Sequence, residues 1–293
     1  MSLIEIQTAE TYEHRVREQI QNRTVDTAQY FGEEAAAAWD TCAKNGKISS
    51  IPSLLLDHDK AVSVIDIGPG TGQPLLDISR KWEVREAVLI DVSRHILSQA
   101  MDVVGKKYAV RGIIGDLIQD TEAIRPHTEM NPKVMLCIGN LAANFRQAII
   151  LPVLRSLLTE NDRLVIGVRM DQGEEHAQNL ADFFASPANC VFGTAFLRAC
   201  GAEGTMEHNH GTFRDDPEEK GVRIIEAFHT FPKDTTLMVG AKSVHMPSNT
   251  VLRFLRSGQF DVAGMPALLG KYGLEVIAQQ EAATQAFFLC KTK

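Results

Sequence analysis

Apolar and polar positions fall into two alternating periodicities along this chain, and the switches between them set the expected elements. Val62, Val64, Ile65 and Ile67 form a β-branched run bounded by glycine, the pattern of a strand buried on both faces. Similar runs follow at 87–90, within 108–120 up to Gly115-Asp116-Leu117, at 134–138 and at 163–169. Helical periodicity fills the gaps between them. One helix is opened by Pro74, the next is capped by Ser93 and carries Ile96, Leu97 and Ala100, and a third carries Pro152, Leu154 and Leu157. Strands alternating with helices predict an open α/β sheet.

The flanks read differently. Residues 9–22 predict a helix with Tyr12, Val16 and Ile20 on one stripe. Residues 30–56 hold an alanine-rich helix, the Asn45-Gly46 turn, and three aromatics, Tyr30, Phe31 and Trp39, that suit either a core or a pocket wall. Residues 171–200 predict two helices, the second opened by Ser186-Pro187 and stopped at Gly201. The stretches 221–231 and 235–246 have strand character and are expected to pair with each other. A helix over 262–272 stopping at Gly273 and a hairpin of 274–280 with 284–292 complete the chain. The expected division is a sheet domain of 57–170 plus 260–293 and an α+β substrate-side domain of 1–56 plus 171–259.

Composition narrows the function classes. The 293 residues are 44% hydrophobic and 23% charged, ordinary for a soluble globular protein with ample core. A net charge of −7 without a basic cluster disfavours nucleic acid as a partner. No apolar run reaches membrane-spanning length. Cys42, Cys137, Cys190, Cys200 and Cys290 are odd in number and widely spaced, as expected of buried thiols in a reducing cytoplasm. His208 and His210 lack a third ligand nearby, so no metal is expected. The expected partner is a small molecule.

The chemistry gathers at strand ends. Gly68-Pro-Gly70-Thr-Gly72, followed by Gln73 and Pro74, joins the first strand to a helix, a turn that lets a ligand approach the backbone. Dinucleotide folds place their third glycine three positions after the second and seat pyrophosphate on the helix terminus. Here the interval is two, and Pro74 removes an N–H. Asp91 stands at the end of the second strand, about 20 residues on, where a carboxylate holds ribose hydroxyls. Val92 would lie against an adenine, Asp116 would accept from its amine or cap a turn, and Leu117 would flank the ring. Gly139, Asn140 and Asn144 follow the fourth strand, where ligands of open sheets collect. A nicotinamide dehydrogenase keeps the same ribose acid, but no hydride-site catalytic residue is evident. A non-catalytic nucleoside-binding scaffold is the other alternative.

Acid-x-Gly-x-Gly-x-Gly resembles motif one of class I S-adenosylmethionine methyltransferases, which implies a Rossmann-like sheet and S-adenosylmethionine as cofactor, with S-adenosylhomocysteine as product. It also implies that Asp66 sits near the ammonium and sulfonium of that cofactor. With VIDIGPGTG, LIDVSRHIL, VRGIIGDL, CIGNLAANF and RIIEAFHTF in this order, most of the chain resembles the histidine-specific N-alpha-methyltransferases of ergothioneine biosynthesis and their relatives acting on other amino acids. The resemblance implies that Asn144 holds the acceptor's amino-carboxylate end. A family motif that grips imidazole with glutamate and serine is similar here to LRFLRSGQF, giving Phe254, Leu255 and Ser257. Leucine accepts no hydrogen bond, and an unpaired buried ring N–H costs about 1–3 kcal/mol. The expected activity is therefore N-methylation of a small amino-acid-like or alkaloid-like amine other than histidine.

Overall fold

The computed structural model describes residues 1–25, 30–35, 37–38, 61–186, 191–202 and 206–293. Strands β1 (Ser2–Glu5), β2 (Val62–Ile67), β3 (Val84–Asp91), β4 (Val110–Ile114), β5 (Lys133–Cys137) and β6 (Arg163–Arg169) come first. β7 (Asn209–Asp215), β8 (Val222–Thr230), β9 (Thr235–Val239), β10 (Lys242–Met246) and β11 (Val251–Phe260) follow, and β12 (Leu274–Ala282) and β13 (Gln285–Thr292) close the series. The described α-helices are α1 (Ala9–Gln21), α2 (Gln73–Ile78), α3 (Arg94–Val104), α4 (Thr121–Ile124), α5 (Gln147–Ser156), α6 (Glu174–Ala185), α7 (Val191–Ala199) and α8 (Met265–Lys271). The chain divides into two compact units. One is Met1–Gln7, Lys47–Met170 and Phe260–Lys293; the other is Thr8–Gly46 and Asp171–Gln259.

The first unit is built on an eight-stranded sheet in the order β1-β4-β3-β2-β5-β6-β13-β12. β1 to β6 pair in parallel, and β13 runs antiparallel to both β6 and β12. All six residues of β2 are buried, as its apolar run requires. The chain leaves β2 toward β3 and β4, then returns to β5 on the other side. The reversal falls between β2 and β5, and the crevice beyond those strand ends is where open α/β sheets bind ligands.

Alternation fixes which residues share a face. Val62 and Val64 of β2, Leu89 of β3, Leu136 of β5, Val165 of β6 and Phe287 of β13 join one core with Leu97, Ala100 and Val104 of α3. The same period carries Asp66, Asp91 and Arg169 onto that face at the carboxyl ends of their strands. At the opposite end, buried Lys133 is tied to buried Asp162 at 2.7 Å. Asp162 also accepts from the Lys133 and Thr159 N–H groups and the Thr159 hydroxyl, so it staples the start of β5 to the turn before β6.

Two expectations are corrected here. Residues 1–7, expected with the substrate-side domain, belong to the sheet unit, because β1 pairs with β4 from Ser2↔Arg111 to Glu5↔Ile114. The stretches 221–231 and 235–246 do not pair with each other. Gly240, at φ +61°, folds the second stretch back as the β9–β10 hairpin, while β8 is flanked by β7 and β11. The proposed start of the sheet domain at 57, the Ser186-Pro187 helix opening, Trp39, and the Asn45-Gly46 turn fall at least partly outside the described residues.

In the second unit, Val16 and Ile20 of α1 pack with Phe196, Phe231, Leu237, Val244 and Leu252. A Cβ on Gly211 of β7 would run into the backbone at Ala181, so α6 lies directly on that strand. Buried Glu226 accepts from Arg253 at 2.9 Å and Arg214 at 3.1 Å, joining β11 and β7 to β8. Among the described residues no helix is long and apolar enough to cross a membrane, and no three His, Cys, Asp or Glu side chains gather as for a metal. Cys137, Cys200 and Cys290 are free and buried.

Candidate active site

Where β2 ends, Gly68, Gly70 and Gly72 have φ of +62°, +56° and +74°, each in the left-handed region that residues with a Cβ avoid. Two of them are also short of room. A Cβ on Gly68 would stand 2.8 Å from the Leu141 side chain, and one on Gly72 would stand 2.9 Å from the Ala100 carbonyl oxygen. The turn is thus pressed between α3 and the 3-10 turn Leu141–Asn144 that follows β5. Gly72 caps α2, and Pro74 occupies its first turn, as the sequence predicts. Gln73 is exposed, and its amide donates to Asp77 at 2.9 Å.

Asp66 is fully buried in β2, and neither of its carboxylate oxygens has a hydrogen-bond partner. Burial, and secondarily the neighbouring Asp91 carboxylate, holds its carboxyl well above the usual range. Asp91 ends β3, one strand over. Burial pushes its carboxyl up to about 7, against the opposing pull of the Ser93 and Val92 N–H groups. One Asp91 oxygen accepts from the Ser93 N–H at 2.8 Å, and the Ser93 hydroxyl accepts from Ile96 to cap α3. A fully buried acid beside a half-buried one, with no cation between them, is costly in a folded protein. Such a pair is expected where a cationic ligand binds.

Other predicted residues have structural duties as well. One Asp116 oxygen accepts from the Ile118 and Gln119 N–H groups, so the turn-cap role exists whatever else this side chain does. Leu117 is buried beside it, and Val92 is half-buried. Gly139 has φ +70°, and a Cβ there would meet nothing within 4 Å, so it borders open space. Asn140, at φ +67°, accepts from the Arg169 backbone N–H at 2.8 Å and fastens β6 to the end of β5. Asn144 ends the 3-10 turn half-buried. Gln147 supports that turn from beneath by donating to the Phe145 carbonyl at 3.1 Å.

Arg169 was not singled out by the sequence reading. It ends β6, and its Nη1 is buried without a partner. Burial lowers its guanidinium from the ordinary value, and no carboxylate offsets that. Gln285, directly opposite on β13, has a buried and unpartnered Oε1.

In the second unit Phe254 is buried in an apolar cluster with Ala227, against Phe184 and Leu255. Its ring is packed in that cluster. Ser257 is buried and Leu255 half-buried on the same strand, β11. Phe31 packs on the core of that unit with its ring centroid 5.9 Å from that of Tyr12.

A glycine cradle too tight for side chains and an orphaned acid beside it fit a nucleoside with a positively charged tail. With the sheet order they define the class: an S-adenosylmethionine-dependent methyltransferase with a Rossmann-like class I sheet. The model of the histidine-specific, S-adenosylmethionine-dependent methyltransferases matches residues 47–293, and the chain belongs to that family. No curated protein matches the chain. Among solved structures, an S-adenosylmethionine-dependent methyltransferase from Clostridium acetobutylicum is similar at 10% identity, covering 97% of this chain and 98% of that one with a TM-score of 0.41. The CcbJ methyltransferase from Streptomyces caelestis is similar at 13% identity, over 90% and 98% of the two chains, with a TM-score of 0.41. The 1,6-didemethyltoxoflavin-N1-methyltransferase of Burkholderia thailandensis, solved with 1,6-didemethyltoxoflavin and S-adenosylhomocysteine, is similar at 11% identity over 98% and 92%, with a TM-score of 0.42.

Proposed function

We propose that this methyltransferase transfers its methyl group to the nitrogen of a small amino-acid-like or alkaloid-like amine other than histidine. The observation that carries the substrate reading is Leu255, which stands in an apolar cluster at the place where the resembling family motif has a glutamate for imidazole. An imidazole N–H set against that cluster would go unpaired.

In this reading Asp66 faces the cofactor's ammonium and sulfonium end, and Asp91 accepts from the ribose hydroxyls. Asp116, Leu117 and Val92 flank the adenine. Gly68, Gly70, Gly72 and Gly139 leave the backbone bare for the approach, with Gln73 and Asn140 bordering it. The bound cofactor supplies a methyl group already activated on sulfonium, so the protein's task is positioning and exclusion of water. The amine must present a neutral lone pair in line with that methyl. Asn144 cannot remove a proton, but its amide oxygen can accept from an amine N–H and turn the lone pair toward the sulfur.

Incubation with S-adenosylmethionine and a panel of amino acids and small amines, read by S-adenosylhomocysteine release, tests the proposal. Fragmentation mass spectrometry then locates the added methyl. The expected product carries it on nitrogen, with histidine a poor acceptor. Histidine as the best acceptor, or methylation on oxygen or sulfur, would overturn the proposal.

A further inference from the structure

We infer that Arg169, backed by Gln285, is an anion clamp that holds a carboxylate of the methyl acceptor. This rests on the reading of the crevice as an N-methylation site, and it adds the substrate's charge and the residue that selects for it.

The side chain lies where such a clamp is needed. Val165 of β6 belongs to the core on the face shared by Asp66 and Asp91, and alternation through Gly167 brings Arg169 to that face at the rim. Gln285 reaches the same face by the same count from Phe287 and pairs with Arg169 in register. The Arg169 backbone is fixed to Asn140, whose strand end leads into the turn carrying Asn144. Across the rim from β3 to β13 the order is therefore acid, acid, amide, cation, amide. Arg169 is two strands from Asp66, about 10 Å at the usual inter-strand spacing. It lies on the side away from Asp91.

A buried guanidinium nitrogen without an acceptor is as anomalous as a buried carboxylate without a donor. Arg169 makes no ion pair or side-chain hydrogen bond with the described residues, yet its half-buried side chain remains reachable. An arginine fork matches a carboxylate with two parallel N–H···O bonds. The Gln285 amide, set directly opposite, can donate to the same anion and accept from Arg169. Acids on one side and a cation on the other suit a zwitterionic acceptor lying between them, with its amine toward the sulfonium side and its carboxylate toward β6.

The cofactor also has a carboxylate, so the test separates the two sources. Protein saturated with S-adenosylhomocysteine is titrated with the twenty common L-amino acids and with their carboxamides, followed by thermal shift and calorimetry. At least one amino acid should bind, and its carboxamide should bind at least tenfold more weakly. Arg169→Gln should erase that preference, and Arg169→Lys should recover it only in part. Gln285→Ala should weaken it less. S-adenosylhomocysteine affinity should stay unchanged in all three variants, which also shows that they are folded. A large loss of S-adenosylhomocysteine affinity in Arg169→Gln would assign the clamp to the cofactor. Equal binding of amide and acid, a preference that survives in Arg169→Gln, or no binding of any amino acid would overturn the inference. Efficient N-methylation of an amine lacking a carboxylate, unaltered by Arg169→Gln, would remove the clamp and leave the proposed function standing. Methylation confined to oxygen or sulfur would remove the function irrespective of Arg169.

Discussion

Replacing Asp91 by asparagine should strengthen the free protein and weaken its hold on the cofactor, and the first effect should depend on pH. The Asp91 carboxyl is pushed from its ordinary 3.8 up to about 7, chiefly by burial. A raised acid favours folding at low pH, and that contribution is lost as pH rises from about 4 through 7, because the unfolded chain ionises first. The gap corresponds to roughly 4 kcal/mol at pH 7 and less than about 1 kcal/mol at pH 4. Solvent reaching the half-buried group trims the upper figure to as little as about half, leaving about 2–4 kcal/mol. Asparagine removes the charge but still accepts from the Ser93 N–H, so the start of α3 keeps its bond. Thermal melts of Asp91→Asn should therefore exceed those of the parent by about 4–10 °C at pH 7 and nearly coincide with them at pH 4. Calorimetry should show S-adenosylhomocysteine binding weakened by about tenfold or more, the scale of a lost hydrogen bond to a charged acceptor. Equal melting at both pH values would refute the buried-charge account. Unchanged affinity would refute the ribose role.

The other expected outcomes concern separate parts of the molecule. Asn144→Ala should lower turnover about a hundredfold, the scale of one lost orienting hydrogen bond in a closed site, while S-adenosylhomocysteine affinity is kept; full activity would remove Asn144 from the site. Gly72→Ala, which forces a Cβ onto the Ala100 carbonyl at φ +74°, should lower both the melting temperature and cofactor affinity. Gly139→Ala meets only open space and should cost no more than the left-handed backbone penalty of about 1–2 kcal/mol. Asp162→Ala leaves Lys133 buried without a counter-ion and should cost about 3–5 kcal/mol in urea denaturation, with no selective effect on cofactor binding.

What the sequence made legible follows from how local each signal is. β2 to β6 announce themselves as apolar runs, and the glycine turn is visible because only glycine tolerates three left-handed positions in five residues. β1 was missed because Ser2–Glu5 is four residues with a single half-buried position, and its place is set by pairing with distant β4. The β9–β10 hairpin had a usable sign in Gly240 between two alternating runs, which was read through as one strand. Arg169 was hidden for a different reason. A charged residue ending an apolar strand looks like a solvent terminator, and its lack of a partner depends on Gln285 across the sheet and on every acid that is not nearby. Phe254 was placed by motif similarity alone, and its burial against Ala227 depends on packing that no local pattern reveals.

The late arrival of β13 has a consequence for biosynthesis. β6 pairs on one side with β5, but its other neighbour emerges from the ribosome more than a hundred residues later, after the whole second unit. At typical elongation rates this leaves an apolar strand margin uncovered for on the order of ten seconds. Truncated or stalled chains should therefore aggregate through that margin, and slowing translation after residue 170 should reduce soluble yield more than slowing it near either terminus.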